Sequence, residues 1–293
     1  MLQPLIHSFF DKATFTVTHV VADPETREAA IIDSVLDFDP SSGTLSFENA
    51  NQIIELIRRE RYSVVWILET HAHADHVTAA HYLQQQLGGK IAIGERIVDV
   101  QKVFASVFHL SERFPTDGSQ FDHLWKDGEV FAIGSLTATV MATPGHTPAD
   151  VSYLIGDALF VGDTIFMPDY GTARCDFPGG SAEALFDSIH RVYQLPSETR
   201  IFLCHDYLSE GRSEYRWEST VEEQKQRNRH VSEGVTKQEF IQTRAQRDAT
   251  LGMPRLIIPS IQINIRAGRL PDPEENGAVY LKVPVNGAFA KAV

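Results

Sequence analysis

The sequence predicts an α/β protein of two packed sheets with helices on their outer faces. The chain has 293 residues, 43% apolar and 22% charged, which is enough to close a core in one large domain or two modest ones. Hairpin-type strand pairs alternate with helical stretches, a rhythm that a doubly wound parallel sheet would not show. Histidine or aspartate stands directly after four separate apolar strands.

Residues 14–22 (TFTVTHVVA) and 28–35 (EAAIIDSV) are apolar and β-branched and are joined by the turn formers Asp23 and Pro24, predicting a hairpin. Over 49–60, Ile53, Ile54, Leu56 and Ile57 recur at helical spacing, and 63–68 (SVVWIL) reads as a short buried strand ending on Glu69 and Thr70. A helix over 76–87 stops at Gly88 and Gly89, followed by a strand over 90–93 and a helix over 96–108. Strands over 129–133 and 136–142 flank Gly134 and Ser135, and 151–155 pairs with 158–161 around Gly156 and Asp157. A Gly/Pro/Asp-rich loop (164–180) leads to Ser181, which can cap a helix over 181–193, and 200–204 is the last clear strand. From Ser219 on, polar helical stretches and a Pro-containing tail predict an appended lobe. The expected division is 1–230 for the main domain and 231–293 for a helical and extended C-terminal extension packed on it.

With 26 Lys and Arg against 39 Asp and Glu, the net charge is −13. No basic footprint for nucleic acid is present. Residues 1–11 lack the pattern of a signal peptide and no apolar run approaches the roughly 18 residues a membrane span needs, so a cytoplasmic protein without membrane contact is expected. Cys175 and Cys204 follow no disulfide or metal spacing and read as reduced packing residues.

The chemistry gathers at strand ends. Thr70-His71-Ala72-His73-Ala74-Asp75-His76 offers three imidazoles and a carboxylate within six positions, the donor set borderline transition metals prefer. Pro144-Gly145-His146-Thr147, Gly162-Asp163-Thr164 and Cys204-His205-Asp206 follow three further strands. One such histidine is usually a satisfied polar residue; four converging sites make a metal centre.

In this order (HxHxDH, PGHT, GD and a late His, with Asp33 as an early strand-end aspartate) residues 1 to about 230 resemble the metallo-β-lactamase superfamily. That resemblance implies an αββα sandwich with metal at one edge between the sheets and Asp33 supporting the site. Residues 171–180 (GTARCDFPGG), the helix from Ser181, Cys204-His205-Asp206-Tyr207 and 219–229 (STVEEQKQRNR) resemble persulfide dioxygenases of the ethylmalonic-encephalopathy type, in their longer bacterial, β-lactamase hydrolase-like branch. What this implies is oxidation of glutathione persulfide by O₂ to sulfite and glutathione at one non-haem Fe(II) per chain, with His71, His146 and Asp163 as metal ligands and catalytic residues. His73, Asp75, His76 and His205 would then orient the ligands or move protons. Tyr207 and Arg229 would meet the glutathione carboxylates, with Arg174 and Arg266 as further contacts. A homodimer is expected. Residues 39–47 and the tail past 268 depart from the shorter members of this group.

The residues alone leave the metal count open. A hydrolase on the same frame uses two metals, with His73 completing the first site and Asp75, His76 and His205 forming the second around a bridging hydroxide. The competing function is therefore a glyoxalase II-like thioester hydrolase. A non-catalytic sensor is disfavoured because no DNA-binding element or receiver partner domain is visible, and a true β-lactamase because no export signal or antibiotic pocket is marked.

Overall fold

The computed structural model describes residues 3–111 and 113–285. Strands β1 (Leu5–Asp11), β2 (Thr16–Ala22) and β3 (Glu28–Ile32) form an antiparallel meander. Strands β4 (Val35–Asp39) and β5 (Thr44–Ser46) make a side hairpin, and helix α1 (Glu48–Glu60) crosses to β6 (Ser63–Leu68), parallel to β3. The short β7 (Val77–Thr78), helix α2 (Ala80–Leu87), β8 (Lys90–Gly94), α3 (Ile97–Val107) and β9 (His123–Trp125) complete the first half, whose main sheet has the order β1-β2-β3-β6-β8-β9. The second sheet contains β10 (Val130–Ile133), β11 (Leu136–Ala142), β12 (Val151–Ile155), β13 (Ala158–Phe160), β14 (Arg200–Phe202) and β15 (Glu218–Thr220) in that order, with helix α4 (Ala182–Val192) crossing between β13 and β14. Helices α5 (Val221–Arg227), α6 (Lys237–Asp248) and α7 (Ile257–Asn264) follow.

Three apolar layers hold these elements. Between the sheets, Ile32, Leu68 and Trp125 meet Phe131, Tyr153, Phe160 and Phe202. Outside the first sheet, Ile53 of α1, Leu83 of α2 and Phe104 of α3 share a cluster with Ile261, Ile263 and Ile265 from the C-terminal region. Outside the second, Leu185 and Ile189 of α4 pack with Phe240 of α6. The result is an αββα sandwich. Helix α7 belongs to the outer layer of the first sheet, whose other helices come from the first half of the chain, so the C-terminal region reaches back across the molecule.

Several elements differ from the sequence reading. The helix expected over 76–87 begins at Ala80, because Val77 and Thr78 pair with Leu36 and Val35 in a tertiary strand contact that local periodicity does not carry. Residues 39–47 form the turn and second strand of a hairpin. Strands β1, β9 and β15 lie at sheet edges where half-exposed, mixed residues leave a weak pattern. Ser181 caps α4, its hydroxyl accepting from the Ala184 N–H. No helix among the described residues is long and apolar enough to cross a membrane.

His19 on β2 is buried, its Nε2 hydrogen-bonded to the Leu203 carbonyl at 3.0 Å and its Nδ1 to the Ser8 hydroxyl at 3.0 Å. Burial pushes the imidazole down to about 4, against the smaller opposing pull of that carbonyl and of Asp33. A folded value below the unfolded one means that the stabilisation is complete above about pH 6.5 and is lost as pH falls toward 4. Urea unfolding at pH 7 and pH 4 should show His19→Gln losing about 3 kcal/mol less than the wild type over this interval; equal losses would remove His19 from the acid response.

Candidate metal centre

The loops after β3, β6, β11, β13 and β14 converge on one edge of the sandwich. Asp33 follows β3 in a left-handed conformation, φ 51°, which aspartate tolerates better than most residues. Its N–H bonds the Leu68 carbonyl at the end of β6. Its carboxylate accepts the Thr70 N–H (2.8 Å), the Thr70 hydroxyl (2.9 Å) and His73 Nε2 (3.0 Å). Burial alone would raise this carboxyl; the His73 charge and the hydrogen bonds outweigh it and hold it below the usual range. Glu69, buried beside it and bonded to the Thr78 hydroxyl, is pushed up by burial; burial also pulls His73 down, but the charges of Asp33, Glu69 and Asp75 and the hydrogen bond to Asp33 together outweigh it and raise this imidazole.

The same network fixes the imidazole tautomers. The Thr70 hydroxyl donates to Asp33, so it accepts from His71 Nδ1 at 3.0 Å and leaves His71 Nε2 as a bare lone pair. His146 Nδ1 donates to the Arg174 carbonyl at 2.8 Å, and His205 Nδ1 to the Phe15 carbonyl at 3.1 Å. Both Nε2 atoms of His71 and His146 face Asp163 Oδ2, at 4.0 and 3.7 Å. His71, His146 and Asp163 have their donor atoms within 4.8 Å of one another. On the far side of Asp163, His205 Nε2 lies 3.3 Å from its Oδ1 and 3.4 Å from Asp75 Oδ2, and Asp75 also meets His76 Nδ1 at 3.1 Å and the Thr16 hydroxyl at 3.2 Å.

Close backbone approach makes this convergence feasible. Gly162, before Asp163, has φ 51°, and a Cβ there would sit 2.4 Å from the Thr70 hydroxyl oxygen. Gly145, before His146, lies against α4, where a Cβ would come 2.4 Å from the Leu185 Cα.

The residues fit a metal. His71 Nε2, His73 Nδ1, His76 Nε2, His205 Nε2 and Asp163 Oδ1 are buried with no hydrogen-bond partner among the described residues. Buried polar atoms are rarely left so, and five orphans of ligand type, falling in neighbouring sets at one sheet edge, suit a cation. The His71 imidazole is held well below its usual range, first by burial and then by the neighbouring imidazoles, which keeps it in the neutral form a metal requires.

A cavity of about 490 Å³ opens over the cluster, lined by Asp75, His146, Asp163, Tyr170, Tyr207 and Arg247 among others. Tyr207 stacks on the His205 ring (centroids 5.5 Å apart) and packs against Tyr170 (4.9 Å). The expected substrate contacts divide. Tyr207 and Arg174 line the cavity, but the Arg174 guanidinium is occupied by Asp176 and the Gly252 carbonyl. Arg229 and Arg266 do not line it. Arg229 turns outward to the Asp169 carbonyl, and Arg266 lies 4.4 Å over the Phe114 ring beside a different cavity. Arg247, over the Tyr170 ring at 5.3 Å, and Arg255 also line the cavity. Sequence reading missed both, although the Arg-rich run Arg244-Ala245-Gln246-Arg247 in a chain of net charge −13 was a signal. Both cysteines are buried, with thiol pKa values raised chiefly by burial.

An αββα sandwich carrying histidines and aspartates with bare ligand atoms at one sheet edge defines a metal-binding protein. The chain belongs to the metallo-β-lactamase superfamily, whose model matches residues 13–205. It is 49% identical to a protein of Burkholderia pseudomallei named a probable metallo-hydrolase (96% of this chain, 99% of the relative) and 48% identical to glyoxylase B2 of Dictyostelium discoideum (96% and 97%). It is 51% identical to the beta-lactamase hydrolase-like protein of Agrobacterium fabrum over 97% of this chain, spanning 65% of that relative's length. Persulfide dioxygenase ETHE1 of Homo sapiens is 30% identical (90% and 89%), and the crystal structure of ETHE1 from Myxococcus xanthus superposes with a TM-score of 0.72 at 28% identity, covering 90% of this chain and all of that one.

Asp33→Asn should weaken metal uptake about 10- to 100-fold with the fold retained, because outer hydrogen-bond partners of metal-binding imidazoles carry effects of this size. Chelator competition on folded protein checks this, and wild-type affinity in the variant would separate Asp33 from the centre.

Proposed function

We propose that the chain is a persulfide dioxygenase that converts glutathione persulfide, O₂ and water to glutathione and sulfite, with one Fe(II) held by His71, His146 and Asp163. One observation carries the reading: His71, His146 and Asp163 bring two imidazoles and one carboxylate within 4.8 Å of one another with both Nδ1 atoms tied to protein oxygens outside the set, whereas Asp75, the carboxylate of the neighbouring set, is already engaged by His76 Nδ1 and the Thr16 hydroxyl. Two imidazoles and a carboxylate are the donor set of non-haem iron oxygenases, in which the iron, when bound, keeps positions open for O₂ and substrate. The persulfide dioxygenase relatives support the same reading.

The protein's own groups then have distinct tasks. The rings of Phe166, Tyr170 and Tyr207 make an apolar wall that limits water at the cluster. His205 Nε2, between Asp75 and Asp163, can hold or pass a proton between these carboxylates. No carboxylate among the described residues pairs with Arg247 or Arg255, so both guanidinium groups are free for the carboxylates of the glutathione carrier.

A second reading is a dinuclear thioester hydrolase, favoured by the bare Nε2 atoms of His76 and His205 and by the glyoxylase B2 relative. Metal analysis of anaerobically purified protein, an oxygen electrode and a sulfite assay separate the two. The expected outcome is about one iron per chain, O₂ uptake with glutathione persulfide and poor hydrolysis of S-lactoylglutathione; two tight metals and efficient hydrolysis without O₂ uptake would move the assignment to the hydrolase.

Arg247→Ala should raise KM for glutathione persulfide roughly tenfold to a hundredfold, the scale of a lost hydrogen bond to a charged group, and leave KM for persulfides of thiols without carboxylates unchanged. Arg229→Ala should change neither. Steady-state kinetics with iron measured on the same samples checks both variants.

A further inference from the structure

The loop carrying His73, Asp75 and His76 is held from an unexpected direction. Its backbone carbonyls at His73 and His76 both receive hydrogen bonds from the Asn264 Nδ2 amino group, each 2.8 Å long, and the Asn264 Oδ1 accepts the Thr78 N–H at 2.9 Å. Asn264 is buried at the end of α7, outside the stretch that matches the family model. Both N–H donors and the carbonyl oxygen of one side-chain amide are directed at a single loop. The neighbouring contacts seat the helix rather than the loop: Gln101 Nε2 bonds the Ile265 carbonyl at 2.9 Å, and Ile261 and Ile263 fill the outer core layer.

We propose that Asn264 is a positioning residue for the metal loop: its side-chain amide sets the backbone from His73 to Thr78, and with it the placement of Asp75 and His76 beside the metal cluster. This rests on the reading of the cluster as a metal site. The physical warrant is the cost of the alternative. Without the amide, two buried carbonyls and one N–H lose their partners together, and the loop must shift to find others. A displacement of the outer groups disturbs the ligands they orient.

The test uses full-length protein and cobalt(II) as the probe, whose visible absorption reports ligand geometry. Asn264→Asp preserves shape and the acceptor for Thr78 but turns oxygen lone pairs toward two carbonyls, and Asn264→Ala removes all three bonds. Both should bind cobalt about 10- to 100-fold more weakly, with an altered visible spectrum. Gln101→Met breaks the bond to Ile265 without touching the loop, so it should lower Tm while keeping the wild-type spectrum and Kd. Wild-type Kd and spectrum in the Asn264 variants, or the same losses in Gln101→Met, would overturn the proposal. Should the Asn264 variants fail to fold, hydrogen exchange of the wild type decides. The Thr78 amide should exchange at least tenfold more slowly with cobalt bound, and equal rates with and without metal would overturn it. A wild type that binds no cobalt refutes the metal reading and the proposal together, whereas normal wild-type binding with unaltered variants removes only the role of Asn264.

Discussion

Burying several imidazoles at one sheet edge is possible only if each has one ring nitrogen satisfied by the protein while the other is left for something else. That constraint governs the whole edge of this molecule. The Asp33 carboxylate begins the arrangement by taking the Thr70 hydroxyl hydrogen, which turns that oxygen into an acceptor for His71 Nδ1. Backbone carbonyls of Arg174 and Phe15 do the same for His146 and His205. Each partner comes from a different element, so the charge and tautomer state of the cluster depends on the two sheets being correctly stacked.

The sandwich achieves this by letting neighbouring strands end together. Parallel pairing of β3 with β6 brings Asp33 beside Thr70, and the Val17 N–H bond to the Cys204 carbonyl ties β2 of the first sheet to the chain leaving β14 of the second. Gly162 admits the Thr70 side chain at the point where a Cβ would block it. The acidic groups and imidazoles thus follow the ends of strands whose apolar side chains pack together in the core between the sheets.

Much of this was legible in the sequence because strand and ligand share one short window. Apolar runs ending in Glu69-Thr70-His71 or Val161-Gly162-Asp163 announce both the element and the chemistry at its end. What escaped depended on partners distant in the chain. The false helix start at His76 arose because Val77 and Thr78 answer to β4, not to their neighbours. Arg229 read as a cavity residue because its neighbours matched a family pattern, yet its orientation follows from how α5 ends and where the Asp169 carbonyl lies. Asn264 was hidden in the alternating stretch Ile261 to Ile265, where it reads, like Gln262, as one of two polar residues between isoleucines.

The hydrogen bond from Asn264 to the His76 carbonyl spans 188 residues. On a ribosome adding roughly 5–20 residues per second, the chain waits on the order of 10–40 s between making that carbonyl and making its donor. Throughout this interval the His73 and His76 carbonyls lack the donor they meet in the folded protein, so the last hydrogen bonds of the histidine-rich loop form only once α7 has been made.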